Sequence, residues 1–393
     1  MIPYGRQEIT EDDIIEVEKV LRSDFLTQGP TVPKFEQSVV NYCGASYAVA
    51  VNSATSALHI ACLALNLGPG DLLWTSPNTF VASANCGRYC GADVDFVDID
   101  SKTYNMSINA LSEKLIKAEK LGKLPKVVVP VHFAGQPCDM PAIYDLSKKY
   151  GFKIIEDASH AIGASYNQIK VGSCTHSDIT VFSFHPVKII TTGEGGMALT
   201  NNEFLAKRLG YLRNSGNIND KKLFQDRPED EIWNYQQIEL GFNYRMNDIQ
   251  AALGLSQMSR LDQFVSRRRE IAKYYDNELK SLPLITPLQL PGTYSSYHLY
   301  PICIKGKEMK KKQKQIYNNL RKNDIEVNIH YIPVYLQPYY QSLNFKKGYC
   351  ANAEDYFKST ISIPIFSSLT DENQSKVIKT ITEVINKYKL SDT

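Results

Sequence analysis

The chain has 393 residues, 43% of them hydrophobic and 22% charged, with a formal net charge of +2. That length exceeds one ordinary domain core and points to a large domain with a smaller one attached. The near-neutral charge supplies no field that would gather nucleic acid, and no apolar run is long enough to cross a bilayer, so neither a nucleic-acid nor a membrane partner is expected.

The N-terminus, Met1-Ile2-Pro3-Tyr4-Gly5-Arg6, lacks the basic segment, apolar stretch and small-residue cleavage site of a secretory signal, which predicts a cytoplasmic protein. Two helices are expected next, Glu11 to Arg22 behind Thr10 as N-cap, and Thr31 to Tyr42 behind Gln28-Gly29-Pro30. Residues 1–44 read as an arm separable from the rest of the chain. From residue 45 onward, short apolar β-rich runs alternate with helical stretches, the signature of a parallel sheet covered by helices. The expected strands are Ala48 to Val51, Leu72 to Thr75, Val94 to Val97, Val127 to Val131, Lys153 to Glu156 and Thr180 to Phe184. In open α/β sheets the ligand crevice lies outside the carboxyl ends of the strands, so chemistry is sought in the polar residues just after these runs.

Residues 214–240, with Trp233, read as a long irregular connection suited to a lid or a dimer arm. A helical stretch from Met246 to about Leu279 comes next, and Pro283, Pro287, Pro291 and Gly292 then break the pattern. The boundary falls near Ser281, giving a large domain over residues 45–280 and a smaller C-terminal domain over residues 281–393. The basic run from Lys305 to Lys312 reads as a solvated loop and helix face. Eight scattered cysteines show neither zinc-site spacing nor the density of a disulfide scaffold, so buried thiols and no metal are expected.

Three segments carry candidate chemistry. Asn52-Ser53-Ala54-Thr55-Ser56-Ala57 follows a strand and opens a helix, where free backbone N–H groups and the positive dipole end suit a phosphate, although Ser and Thr are also ordinary caps. In Ile155-Glu156-Asp157-Ala158-Ser159-His160 two carboxylates end an apolar strand. A carboxylate at that depth needs a partner, whether a protonated heterocyclic nitrogen, a metal or the N–H groups of a following helix. The stretch from Ser183 to Gly196 sets Lys188 among Val187, Ile189 and Ile190 before a glycine-rich turn. A lysine in an apolar pocket loses proton affinity and becomes an amine nucleophile fit for a Schiff base; the alternative is a surface lysine in a loop.

Together, in this order and spacing, these segments resemble the fold type I enzymes, dependent on pyridoxal 5′-phosphate (PLP), that aminate keto-sugar nucleotides. The likeness includes Gly241-Phe242-Asn243-Tyr244-Arg245-Met246 and His330-Tyr331-Ile332-Pro333-Val334-Tyr335 and runs over essentially the whole chain. It implies an α/β fold type I aminotransferase, with a mainly parallel central sheet in the large domain and a smaller C-terminal α/β domain. By the same resemblance Lys188 is the Schiff-base lysine and proton carrier, Asp157 the partner of the pyridinium nitrogen and Phe80 the aromatic stacked on the ring. Ala54, Thr55 and Ser183 would hold the phosphate, His160 would lie near the ring hydroxyl, and Asn243 would reach the phosphate of a neighbouring subunit in a homodimer.

Phe25 to Pro30, Asn52 to His59, Trp74 to Cys86 and Val94 to Asp100 resemble the branch of that family serving pseudaminic acid biosynthesis. This implies L-glutamate as donor and a UDP-linked 2-acetamido-2,6-dideoxy-4-keto sugar as acceptor, with His330, Tyr335 and Phe25 toward the substrate. The middle glycine of Thr192-Gly193-Glu194 departs from the pattern. The family's dehydratases replace the Schiff-base lysine with histidine, so Lys188 argues for transamination. A transaminase for a D-configured 4-keto sugar would share every cofactor residue named, and a PLP-binding regulator without turnover is the reading from another class.

Overall fold

The computed structural model describes residues 1–218, 224–225 and 231–390; of the connection expected over 214–240, residues 219–223 and 226–230 lie outside the described residues. A seven-stranded sheet forms the centre. Its strands are β1 (Tyr47–Val51), β2 (Leu72–Thr75), β3 (Asp93–Phe96), β4 (Val127–Val129), β5 (Lys153–Asp157), β6 (Ile179–Ser183) and β7 (Gly196–Thr200), in spatial order β1-β7-β6-β5-β4-β2-β3. From β3 to β6 all neighbours are parallel, whereas β7 runs antiparallel to both β6 and β1. Residues of β4, β6 and β7 are buried throughout, as expected of strands covered on both faces.

The sequence pattern did not anticipate β7. It follows β6 through the loop at residues 184–195, with no crossover helix between them, so the chain can only turn back and pair antiparallel. That reversal sets Gly196 opposite Val51 of β1 and opposite Ser183 of β6. The carboxyl ends of two strands distant in sequence therefore meet.

The helices of the N-terminal part are α1 (Glu11–Leu21), α2 (Thr31–Cys43), α3 (Ala54–Ala64), α4 (Ala82–Tyr89), α5 (Ile108–Lys120), α6 (Met140–Tyr150) and α7 (Glu203–Arg213). Their ends follow local chemistry. Asp139 caps α6 through the Ala142 N–H with Pro141 in the first turn, and Gly151 closes it in the left-handed region at φ 80°. Residues 1–44 are not a separable arm. Val32, Phe35, Val39 and Cys43 of α2 share a core with Phe184, Ile190 and Met246, and Ile2 bridges to Ile325 in the C-terminal part.

The long helix expected from Met246 is two helices, α8 (Asp248–Met258) and α9 (Leu261–Leu279), broken at Ser259 and Arg260. A tertiary anchor holds the corner. Asp13 of α1, fully buried, accepts from Ser256 Oγ at 2.6 Å, Gln257 Nε2 at 3.0 Å and Arg260 Nη2 at 2.5 Å.

Beyond residue 281 a small antiparallel sheet runs β8-β9-β10, from Leu284–Ile285, Tyr300–Ile304 and Thr360–Ile363. Helices α10 (Gln313–Lys322) and α11 (Asp371–Leu390) and the C-terminal half of α9 enclose its own core, which includes Tyr275, Ile302, Ile316, Ile361 and Ile381. Arg268 of α9 is buried and donates to the carbonyls of Tyr297, His298 and Ile365, fixing the strand-entry segment that faces the large domain. Val334, Tyr335, Tyr340 and Tyr356 instead join the large-domain core. All eight cysteines are buried free thiols. Among the described residues no helix is long and apolar enough to cross a membrane.

Candidate active site

At the carboxyl edge of the sheet, β1 runs into α3. Ser53 caps that helix by accepting from the Ser56 N–H at 3.1 Å, which leaves the first-turn N–H groups of Ala54 and Thr55 with no carbonyl of their own helix to pair with. A Cβ at Gly196 would stand 2.4 Å from the Ala54 nitrogen, so only glycine lets the start of β7 pass this close. Ser183 lies opposite Gly196 across the β6–β7 pair, and so the end of its strand lies close to the helix start. Two N–H groups at a positive helix end are the elements of an anion cradle.

Lys188 follows β6 in a loop where its N–H donates to the His185 carbonyl at 2.9 Å and buried Ile189 and Ile190 come next. Burial pushes its amine down to about 8, while the Asp157 carboxylate pulls the other way. Gly193, the departure in the turn just after, adopts φ 78°, a left-handed conformation that glycine takes without strain.

Asp157 ends β5 and is buried. Its Oδ2 accepts from Ser83 Oγ at 2.6 Å and its Oδ1 from the Ser159 N–H at 3.1 Å. The neighbouring Glu156 points to the opposite face and binds His132 Nε2 at 2.7 Å. Because the Cys138 N–H donates to His132 Nδ1 at 2.9 Å, that ring carries its proton on Nε2 and gives it to Glu156. Glu156 is thereby committed to structure, and Asp157 alone is left for chemistry.

Phe80, just before α4, is 58% exposed, where a core aromatic would be covered. His160 is buried and accepts the Ala134 N–H on Nδ1 at 3.3 Å, with Nε2 3.3 Å from the Tyr331 hydroxyl. Burial, then the Lys188 charge, then His330 hold its pKa well below the ordinary histidine value. His330 bonds Ser362 Oγ through Nδ1 at 2.9 Å and is pushed down to about 3 by burial and by Lys188. The His330–Tyr331 peptide is cis. His298, its ring centroid 4.4 Å from that of His160, is lowered by burial, His160 and Lys188. Partly buried Lys188 thus lies within electrostatic reach of the Asp157 carboxylate and of the lowered imidazoles of His160, His298 and His330.

Tyr335 is fully buried on Phe96 and gives its hydroxyl to Glu354 at 2.8 Å, which fixes its side chain in the core. Phe25 is exposed in the turn that Asp248 pins through the Gly29 and Thr31 N–H groups. Asn243 is exposed on a strand-like segment bridged to Asn214. Ser83, Tyr331 and His298 were not anticipated. Tyr331 and Ser83 both stood inside stretches already singled out, but nothing in the sequence signals that Ser83 touches an aspartate 74 residues away.

Residues 7–382 match the pattern described as the DegT/DnrJ/EryC1/StrS aminotransferase family. The spore coat polysaccharide biosynthesis protein SpsC of Bacillus subtilis is 37% identical over 98% of this chain and 97% of its own length. A UDP-4-amino-4,6-dideoxy-N-acetyl-beta-L-altrosamine transaminase of Campylobacter jejuni is 36% identical over 99% of each chain. The solved structure of Helicobacter pylori PseC, an aminotransferase involved in the biosynthesis of pseudoaminic acid, superposes with a TM-score of 0.89 at 31% identity, covering 98% of this chain and 99% of its own.

Proposed function

The chain belongs to the DegT/DnrJ/EryC1/StrS aminotransferase family and is a PLP-dependent aminotransferase acting on sugar nucleotides, and from that premise we propose its substrates. The donor is L-glutamate, and the acceptor is the UDP-linked 2-acetamido-2,6-dideoxy-4-keto-hexose of the beta-L-arabino series. The products are UDP-4-amino-4,6-dideoxy-N-acetyl-beta-L-altrosamine and 2-oxoglutarate. Similarity over nearly the full length to the Campylobacter transaminase and to PseC supports this acceptor.

The residues fit the cofactor. The anion cradle at Ala54 and Thr55, with the strand end at Ser183 close by, suits its phosphate, Phe80 offers an open aromatic face, and Asp157 presents one buried carboxylate to a protonated ring nitrogen. When bound, the cofactor supplies an electron sink for the carbanion formed at the amino donor. The observation that carries the reading is the placement of Lys188 in the loop after β6, facing the buried Asp157 carboxylate that Ser83 holds, and burial there lowers its amine toward deprotonation near neutral pH. An uncharged Nζ takes the proton from the donor's α-carbon and returns one at the new amine-bearing carbon, general acid–base catalysis by a positioned group. His160 and His330, both held neutral, add no cation that would repel a protonated donor.

A homodimer completes the site in this reading. Ile232, Trp233, Tyr235 and Leu240 leave an exposed apolar stretch beside Asn243, which suits a second copy with Asn243 reaching its phosphate. Lys188→Ala and Asn243→Ala are each inactive alone, and mixing them restores about a quarter of wild-type activity, since half the dimers carry one intact site. No recovery on mixing overturns the shared site.

The substrate assignment is tested by supplying glutamate with UDP-linked 4-keto-6-deoxy-N-acetyl sugars of the L and D series and resolving the amino sugar by NMR. Amination of the L-series acceptor alone supports it. Turnover of the D series alone keeps the enzyme class and overturns the acceptor, and turnover of neither overturns both.

A further inference from the structure

Asp157 is oriented by a hydroxyl pair that begins beside the stacking aromatic. Ser83, fully buried in the first turn of α4, lies 2.6 Å from Asp157 Oδ2 and 2.7 Å from Thr79 Oγ1. A serine has one proton to give, and an ionised carboxylate can only accept, so Ser83 donates to Asp157 and Thr79 donates to Ser83. The competing acceptor, the Phe80 carbonyl, is 3.4 Å from Ser83 Oγ and so much the weaker partner. With the Ser159 N–H on Oδ1, each carboxylate oxygen carries one donor and keeps a lone pair free.

The same turn holds Phe80 and is tied to the C-terminal part through one side chain and one carbonyl: Asn78 Oδ1 accepts the Tyr331 N–H at 3.1 Å, and the Pro77 carbonyl accepts the Val334 N–H at 2.9 Å. The segment from Pro77 to Ser83 therefore fixes the ring-stacking residue, the carboxylate and the entry to the His330 segment as one body. We propose that Ser83, backed by Thr79, is a positioning residue that sets the rotation of the Asp157 carboxylate toward the cofactor's ring nitrogen. The proposal rests on Asp157 being the partner of that nitrogen. A carboxylate held by one donor on each oxygen cannot turn freely, and the fixed rotation keeps one lone pair aimed where the nitrogen's proton must lie.

The test uses holoenzyme loaded with PLP labelled with 15N in the ring, comparing wild type with Ser83→Ala and Thr79→Val. In Ser83→Ala the ring-nitrogen resonance moves toward its unprotonated position, and kcat falls roughly tenfold while the KM for glutamate changes less than about twofold. Thr79→Val, which keeps the shape but loses the upstream donor, shifts the resonance in the same sense by a smaller amount. An unchanged resonance in Ser83→Ala overturns the proposal, even where activity drops, because a purely structural loss would lower the melting temperature and leave the nitrogen protonated. Asp157→Asn is the control: if that variant also keeps the wild-type resonance, the assignment of Asp157 is what fails.

Discussion

Replacing Lys188 with methionine removes the charge while keeping an unbranched apolar stem of similar reach. Burial lowers this amine from 10.5 to about 8, which at ~1.36 kcal/mol per pKa unit corresponds to about 3 kcal/mol. The unfolded chain binds the proton more tightly than the folded one, so the penalty is fully present below pH about 8 and disappears as pH rises toward 10.5. Cofactor-free Lys188→Met is therefore more stable than wild type by up to ~3 kcal/mol at neutral pH, and the gap narrows to about 1 kcal/mol near pH 9.5. Thermal melts of the two proteins across that range measure the difference, and turnover is lost throughout. A second readout uses wild type alone: the rate of PLP capture, followed by absorbance, rises with pH to a plateau with its midpoint at about 8. A midpoint above 10, or a variant no more stable than wild type at pH 7, refutes the claim that burial tunes this lysine.

Other outcomes rest on named contacts. Gly196→Ala drives a Cβ to 2.4 Å from the Ala54 nitrogen, a backbone clash that no rotamer relieves, and PLP affinity falls more than about tenfold by fluorescence titration. Gly193→Ala meets no atom within 4 Å but keeps φ 78°, so it costs only about 1 kcal/mol of stability and leaves PLP binding unchanged. Asp157→Asn binds PLP more weakly and slows the half-reaction with glutamate on the order of a hundredfold in stopped-flow absorbance, since the ring nitrogen loses its anionic partner. Asp13→Ala strips the buried carboxylate from Ser256, Gln257 and Arg260 and destabilises the fold by roughly 3 kcal/mol in a denaturant melt, with little change in the KM of the residual active protein.

Local pattern made the parallel strands legible. The runs at 48–51, 72–75 and 153–156 sit within the observed strands and those at 94–97, 127–131 and 180–184 overlap theirs but run past the ends, because residues covered on both faces must be apolar whatever the rest of the chain does. Where pattern failed, a distant partner had decided. The Met246-to-Leu279 periodicity is helical on both sides of Ser259, and only Asp13, from the other end of the chain, shows where it turns. Likewise the arm expected over residues 1–44 has the amphipathic face of any surface helix, and its place in the core depends on which elements lie against it.

Lys188, Asp157 and the Ala54-Thr55 helix start stand out as candidates in the sequence itself, because each is a residue type that its immediate surroundings make costly or reactive: a lysine among isoleucines, a carboxylate at the end of an apolar strand, free N–H groups at a helix start. Only the tertiary structure decided that they converge. The antiparallel return of β7 set Gly196 against both Val51 and Ser183, a pairing that no local signal encodes. Tertiary packing also separated Tyr331, turned to His160, from Tyr335, buried on Phe96, within one motif. Side-chain chemistry is written residue by residue, but which groups share a site is decided by the closure of the sheet and the packing of the C-terminal part against it.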